Sequence, residues 1–200
     1  MARFVHGLAE SNGICEVTMD KAHPIHVLRH CPRCGSPEFP ATGSRSFGCG
    51  NCGFRLFINS AAAVAALIFD REGRLLVTRR AIDPDIGKMD LPGGFVDPDE
   101  TAEAAVRREL REELGVEVKS LRYLTSRSNQ YLFSGIVVFT LDLAFRAEIV
   151  NLENMVASDD ISAFEWVDPS TVDPAEIPAP SIRYFIREVA LHEKSNPEQN

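Results

Sequence analysis

Apolar residues run almost without interruption over residues 61–69, a short stretch of the kind that forms a buried strand. Asp70-Arg71-Glu72-Gly73 then breaks the run as a turn, and Leu75-Leu76-Val77 returns, so the pattern predicts a hairpin. Over residues 101–114 the period changes. Val106, Leu110 and Leu114 fall on one strip, with Thr101 near the start and Gly115 just past the end, which predicts the clearest helix in the chain. Further strands are expected over residues 116–118, 135–145 and 163–167, and a closing helix over 181–192. Asp83-Pro84-Asp85-Ile86-Gly87, Asp168-Pro169-Ser170 and Ile177-Pro178-Ala179-Pro180 read as loops. Strands interleaved with two helices imply an α/β fold, a mixed sheet sandwiched between helices. Residues 1–30 have no firm period and are expected to form an extended lead-in.

Between the lead-in and the first strand lie two short cysteine motifs, Cys31-Pro32-Arg33-Cys34 and Cys49-Gly50-Asn51-Cys52. Each C-x-x-C turn directs two thiolates at one cation, and two facing turns complete a tetrahedral S4 site. Gly35 and Gly53 follow the second cysteine of each pair, where such a turn favours positive φ. A small ribbon over residues 31–57 holding a structural Zn²⁺ is expected, with iron as the alternative occupant of the same four thiolates. Protein fills every position, so this metal is a staple and has no open site for chemistry. Cys15, His23, His26 and His30 read as solvated or packed residues outside the ligand set.

Composition narrows the classes. The 200 residues are 44% hydrophobic and 25% charged, ordinary globular values, and no apolar run approaches a membrane span. With no apolar core in its first residues, the chain is expected to be cytoplasmic and to contact no membrane. A formal net charge of -8 disfavours broad nucleic-acid binding, yet is compatible with a small phosphorylated substrate held through divalent cations.

Candidate chemistry concentrates on the predicted helix. Glu109 and Glu113 are neighbours at i and i+4 with Glu112 beside them, so three carboxylates share one arc. Solvated glutamates on an arginine-rich helix are one reading; oxygen ligands for Mg²⁺ or Mn²⁺ are the other. The surrounding pattern favours the second. From Gly94, five residues lead to Glu100 and seven more to Arg108-Glu109-Leu110-Arg111-Glu112-Glu113-Leu114-Gly115-Val116.

This pattern resembles the box of the Nudix hydrolases, G-x5-E-x7-R-E-U-x-E-E-x-G-U with U aliphatic. Gly94, Glu100, Arg108, Glu109, Leu110, Glu112, Glu113, Gly115 and Val116 fill every specified position. The approach Gly87-Lys88-Met89-Asp90-Leu91-Pro92-Gly93-Gly94-Phe95 is similar too, except that an aromatic more often stands where Met89 is. The cysteine motifs are similar to the N-terminal zinc ribbon of some members. The resemblance covers about residues 58–190, leaving 191–200 as a polar tail.

It implies a Nudix-type α/β/α sandwich that cleaves the diphosphate bond of a nucleoside diphosphate linked to another moiety, such as ADP-ribose, FAD, NADH or a nucleotide sugar. By position, Glu109 and Glu113 would be direct Mg²⁺ or Mn²⁺ ligands, Glu112 would bind a further cation or its waters, and the Gly93 carbonyl would supply another oxygen. Glu100 and Arg108 would pair to hold the loop and helix in shape. The proton of the attacking water would go to Glu112 or Glu113, or to an acidic residue of a later loop, where Asp160 is preferred to Asp159 or Glu153. Arg80 and Arg127, with Arg79, are candidates to meet phosphate, and Tyr131 or Phe133 to stack on a base.

NADH pyrophosphatases carry a proline- and tryptophan-rich signature after the box. Here residues 125–133 contain neither residue, and the later elements look more like those of enzymes acting on FAD or ADP-ribose. A homodimer is expected from the family likeness. Two further readings remain: a nucleotide-sensing module without turnover, and an enzyme guided by its ribbon to nucleotide-capped RNA.

Overall fold

The structure, a computed structural model, describes residues 20–83 and 85–195. It divides into two compact units: the described part of Met1–Asn59 with Tyr131–Val138, and that of Ser60–Gln130 with Phe139–Asn200. Cys15 and the remainder of residues 1–19 lie outside the described residues.

In the first unit the described part of the lead-in contains a helical turn, α1 (Pro24–Val27), which the flat hydropathy of this stretch did not predict. His23 Nδ1 accepts the Ile25 N–H at 3.2 Å, capping the turn, and proline occupies its first position, where a missing N–H costs nothing. Three short strands follow, β1 (Ala41–Gly43), β2 (Ser46–Gly48) and β3 (Arg55–Phe57), paired antiparallel in that order. The two-residue period sends the cross-strand pair Phe47 and Leu56 inward, and Phe47 stacks on Phe39 with ring centroids 5.0 Å apart. The pairs Ser46–Phe57 and Gly48–Arg55 take the opposite face. The Val137 N–H donates to the Ala22 carbonyl at 2.9 Å.

The second unit contains β4 (Ala61–Leu67), β5 (Leu75–Arg80), β6 (Met89–Asp90), β7 (Gly93–Phe95), α2 (Ala102–Leu114), most of β8 (Val118–Phe133) and β9 (Ile136–Ile149), and β10 (Ile161–Val167). A mixed sheet has the order β7-β4-β9-β8, with β4 parallel to β9 and antiparallel to β7. A second sheet, β10-β5-β6, is antiparallel throughout. Alternation along β4 builds two cores. Val64 and Ala66 join Val106, Leu110 and Leu114 of α2, while Ala65 and Leu67 join Ile182, Phe185 and Ile186 near the C-terminus. These layers are the expected α/β/α sandwich.

The C-terminal segment is α3 (Pro180–Tyr184), a π turn (Phe185–Val189) and α4 (Ala190–Ser195), extending past the expected residue 192. Glu193 meets both Arg122 and Arg146, and Lys194 Nζ lies 2.8 Å from Asp168 Oδ2.

Two strand expectations change. The turn at residues 70–73 forms, with Gly73 at φ 74°, but β4 and β5 share only the Phe69–Leu75 bridge before β5 diverges to pair with β10 and β6. The strand expected over 116–118 begins at Val118 and continues to Phe133, because the Ser134–Gly135 turn folds it back on β9. Both turn residues have positive φ, 49° and 79°, which matches the twist of a two-residue hairpin.

Candidate active site

Helix α2 has a defined beginning and end. Thr101 Oγ1 accepts the Ala104 N–H at 3.2 Å, and Gly115, at φ 68°, closes the last turn with its N–H on the Arg111 carbonyl. With the helix phase fixed and Leu110 and Leu114 fully buried, the three glutamates emerge at different depths. Glu113 is 4% exposed, whereas the Glu112 side chain is 46% exposed; the Glu109 side chain lies nearer the buried end.

Glu113 Oε2 accepts the Gly93 N–H at 2.9 Å, which joins the helix to β7, the strand that carries Gly94, the first glycine of the box. Gly93 has φ 146°, and a β-carbon there would stand 2.1 Å from the Val64 carbonyl oxygen. Its pairing with Ala65 therefore has no room for a side chain. At Gly94 the obstruction is Glu109 itself, 2.4 Å from an ideal β-carbon.

Arg108 organises the acidic face. Its guanidinium donates to Glu100 (Nη2–Oε2 2.9 Å), the Phe95 carbonyl (2.9 Å), Glu109 Oε1 (2.8 Å) and Glu112 Oε2 (3.0 Å). The Glu100–Arg108 pair expected from the box is thus formed, and it ties the loop after β7 to the helix. These hydrogen bonds push the arginine pKa still higher.

The electrostatics record the crowding of carboxylates. Burial pushes Glu113 up to about 9; the Gly93 N–H opposes this, while Glu109, Asp90 and Asp160 raise it further. Burial also raises Glu109, against Arg108 and with added repulsion from Glu112 and Asp159. Asp90 is raised by burial despite Arg80 Nη1 at 3.0 Å from its Oδ2. The loop carrying Asp159 and Asp160 is fastened to α2, with the Ser158 N–H on the Glu113 carbonyl at 2.9 Å and its hydroxyl on the Glu112 carbonyl. The sequence reading passed over Asp90 and Ser158. The signals were a lone carboxylate between apolar Met89 and Leu91, and a serine directly before paired aspartates.

The other candidates separate. Arg79 is held by Glu165 (2.7 Å) and Glu176 (2.8 Å), and Arg80 by Asp90, so both guanidinia have partners inside the second unit. Arg127 lies over the Tyr184 ring, 4.2 Å from its centroid. Tyr131 belongs to the first unit.

The cysteines come together as the spacing anticipated. Sγ of Cys31 and Cys52 are 3.8 Å apart and those of Cys34 and Cys49 are 3.7 Å apart; all four lie within 4.8 Å of one another. Tetrahedral Zn–S bonds of about 2.3 Å demand sulfur separations of roughly 3.8 Å, so the donor set fits zinc, and the thiols are free of disulfides. The two knuckles match, Gly35 N–H on the Cys31 carbonyl at 2.8 Å and Gly53 N–H on the Cys49 carbonyl at 3.0 Å, with φ of 72° and 71°. The Ser36 backbone N–H bears first on Cys34, whose thiol is lowered to about 6. Among the described residues these thiolates are the one group of three or more His, Cys, Asp and Glu ligand atoms gathered this tightly. The α2 carboxylates are not gathered in that way; Glu109 turns to Arg108 and Glu113 to Gly93.

The fold and the helix-borne carboxylates define a Nudix domain. The NUDIX domain family matches residues 59–189, and the chain belongs to that family. Among its curated relatives, the NAD-capped RNA hydrolase NudC of Deinococcus radiodurans is 36% identical over 118 residues, 57% of this chain and 41% of that protein. The protein of the same name from Chromobacterium violaceum is 31% identical over 163 residues, 82% of this chain and 58% of that one. The chain spans about half the length of the curated relatives it matches. Among solved structures, a NUDIX hydrolase from Nitrosomonas europaea superposes with a TM-score of 0.60 at 21% identity, covering 84% of this chain and 92% of that one, a likeness of fold. The ORF135 protein of E. coli gives 0.53 at 25% identity, over 72% and 96% of the two chains.

Proposed function

We propose that this protein hydrolyses the diphosphate bond of a nucleoside diphosphate joined to a second moiety, using Mg²⁺ or Mn²⁺. The observation that carries this reading is the geometry of the box in a chain of the NUDIX domain family: Glu113 is buried with its Oε2 on the Gly93 N–H, and Glu109 and Glu112 are held beside it on the same helix by Arg108. Such a cluster is costly without added positive charge, and oxygen donors of this kind suit hard divalent cations. Glu109, Glu113 and the Gly93 carbonyl are the proposed ligands, with the more exposed Glu112 serving a further cation or its waters. Bound there, the ion supplies neutralisation of the diphosphate oxygens and a more acidic water.

The chain's own residues do the rest. Arg108 holds Glu109 and Glu112 in position, and the Gly93 N–H fixes one oxygen of Glu113. Asp160 is the proposed acceptor of the water's proton, with Glu112 and Glu113 as the alternatives within the box. Arg127 and Arg80 are proposed to meet the substrate's phosphates. Zinc in the ribbon is structural. A homodimer in the cytoplasm completes the reading.

The test is turnover of ADP-ribose, FAD, NADH and a nucleotide sugar with each metal, reading released monophosphates. Product from at least one substrate is expected, and none from any with either metal overturns the proposal. The likeness to NAD-capped RNA hydrolases favours one second reading, action on NAD-capped RNA. It returns NAD to the candidate substrates although residues 125–133 lack proline and tryptophan. Release of the cap from an NAD-capped oligonucleotide tests it.

A further inference from the structure

On one face of the mixed sheet, polar groups are buried in apolar surroundings. Side chains alternate along β9, so Thr140, Asp142 and Ala144 share a face, and Ala144 packs there with Ile182 and Phe185 of the C-terminal segment. Thr140 is 2% exposed and Asp142 6%. The hydroxyl of Ser181, fully buried on α3, donates to Asp142 Oδ2. That bond fixes the carboxylate's orientation and occupies one of its oxygens. Among the described residues Oδ1 accepts no hydrogen bond, and the buried Thr140 Oγ1 has no partner. An unpaired buried hydroxyl is costly, so the fold keeps this one at the expense of its own stability.

The neighbouring strands leave room beside the two groups. β4 lies parallel to β9, with Ala61 opposite Thr140, Ala63 opposite Asp142 and Ala65 opposite Ala144. Three methyl groups in a row make a low floor, wide enough for a two-ring base. On its other side β4 pairs with β7, where Gly93 stands opposite Ala65. Adjacent strands are about 4.8 Å apart, so β9 and β7 are separated by roughly 10 Å across β4. A nucleotide has a comparable reach from its phosphate to the far edge of its base. Asp90 is near both ends of that span: raised first by burial, it also feels Asp142, and Glu113 in turn feels Asp90.

The donor set narrows the ligand. A carboxylate repels an anion. A divalent cation would draw several acidic groups together, and among the described residues only the cysteines gather in that way. What suits the pair is a neutral group offering a hydrogen to Asp142 Oδ1 and a lone pair to the Thr140 hydroxyl. An amino group beside an unprotonated ring nitrogen offers both, as on one edge of adenine. Hypoxanthine reverses the pattern and would turn a carbonyl oxygen toward the carboxylate. We propose that Asp142 and Thr140 select adenine as the base of the substrate, Asp142 accepting from the amino group and Thr140 donating to the ring nitrogen, with Ser181 positioning the carboxylate. This inference rests on the nucleotide substrate proposed above and adds the choice of base.

The test is calorimetric binding of AMP, IMP and CMP to the whole chain at one fixed Mg²⁺ concentration. None of the three contains a diphosphate bond, so the result is independent of turnover. Failure of the hydrolysis reading is recognised separately, by absence of product from every diphosphate substrate. Wild type is expected to bind AMP about tenfold or more tighter than IMP, the scale of one hydrogen bond to a charged group. Asp142→Asn is expected to bring the AMP-to-IMP ratio to within about threefold, because an amide turns either its oxygen or its NH2 to the base. Thr140→Val keeps the shape and is expected to reduce the ratio while melting no lower than wild type. Ser181→Ala is expected to reduce it too, a change that a purely structural serine would not produce. Equal binding of AMP and IMP by wild type, tighter binding of CMP than of AMP, no binding of AMP, or a wild-type ratio in both Asp142→Asn and Thr140→Val each overturns the proposal. Should Asp142→Asn fail to fold, a wild-type ratio in Thr140→Val alone overturns it.

Discussion

Gly94 lies so close to Glu109 that an added β-carbon would stand 2.4 Å from its Oε1, so the glycine is a condition for the glutamate's position. Gly94→Ala is expected to displace Glu109 while leaving the strand pairing in place. Displacement of a catalytic group by about 1 Å costs on the order of 10²-fold in turnover. Gly93→Ala instead meets backbone, 2.1 Å from the Val64 carbonyl, and is expected to impair folding. Turnover and thermal melting of the two variants separate the cases: activity lost with the melting temperature held for the first, and both lost for the second.

Glu113 carries a predicted conflict between stability and activity. Its native pKa of about 9 lies above the usual value of 4.5, so the folded state favours the protonated acid. The associated stability is fully present below the unfolded value and is lost as pH rises toward 9. Without divalent cations, wild type is expected to melt at progressively lower temperature across that window, while Glu113→Gln shows a flatter profile and equals or exceeds wild type at neutral pH. Added Mg²⁺ is expected to raise the wild-type melting temperature and leave the variant unmoved, while turnover by the variant falls at least 10²-fold. A variant less stable than wild type at pH 8 without metal contradicts the account.

Asp160 and Asp159 are distinguished by the carboxylates they face. Asp160 raises Glu113, and Asp159 raises Glu109. If Asp160 takes the proton, Asp160→Asn is expected to lower kcat by about 10²-fold or more with little change in KM. Asp159→Asn is expected to alter metal dependence more than kcat. Equal kcat in wild type and Asp160→Asn assigns the role to a glutamate of the box.

The ribbon metal is predicted to be zinc at one equivalent per chain. Cys31→Ser is expected to abolish its retention through dialysis, because three thiolates leave the tetrahedral set incomplete. Structural zinc contributes roughly 10–16 kcal/mol of binding free energy in small zinc-folded peptides, so the β1–β3 sheet should lose its cooperative melting as well. Metal analysis and limited proteolysis near residue 50 provide the readout.

The parts of the molecule that were legible in the sequence are those fixed by local chemistry. Thr101 and Gly115 bound α2 because a cap hydroxyl and a left-handed residue act within a few positions of themselves. The cysteine knuckles were legible for the same reason, each being a turn closed over four residues. Non-local relationships were not. The course of β8 from residue 119 to 133 is set by pairing with β9, and its mostly exposed residues give no clean alternation from which to read a strand. Divergence of β5 from β4 depends on β10, some eighty residues later. Arg79 and Arg80 resembled free cations because Glu165, Glu176 and Asp90 become their neighbours only through the sheet. The box spacing puts Glu109, Glu112 and Glu113 on one arc of the helix, yet the contact of the Glu113 side chain with Gly93 is one that no helical wheel contains.

The hairpin formed by β8 and β9 begins and ends in one unit and turns in the other, with Tyr131–Val138 grouped with the ribbon. The backbone therefore passes from one unit to the other three times, after residues 59, 130 and 138. A fragment ending at residue 59 would therefore lack Val137, whose N–H the Ala22 carbonyl accepts, and would be missing part of its own unit.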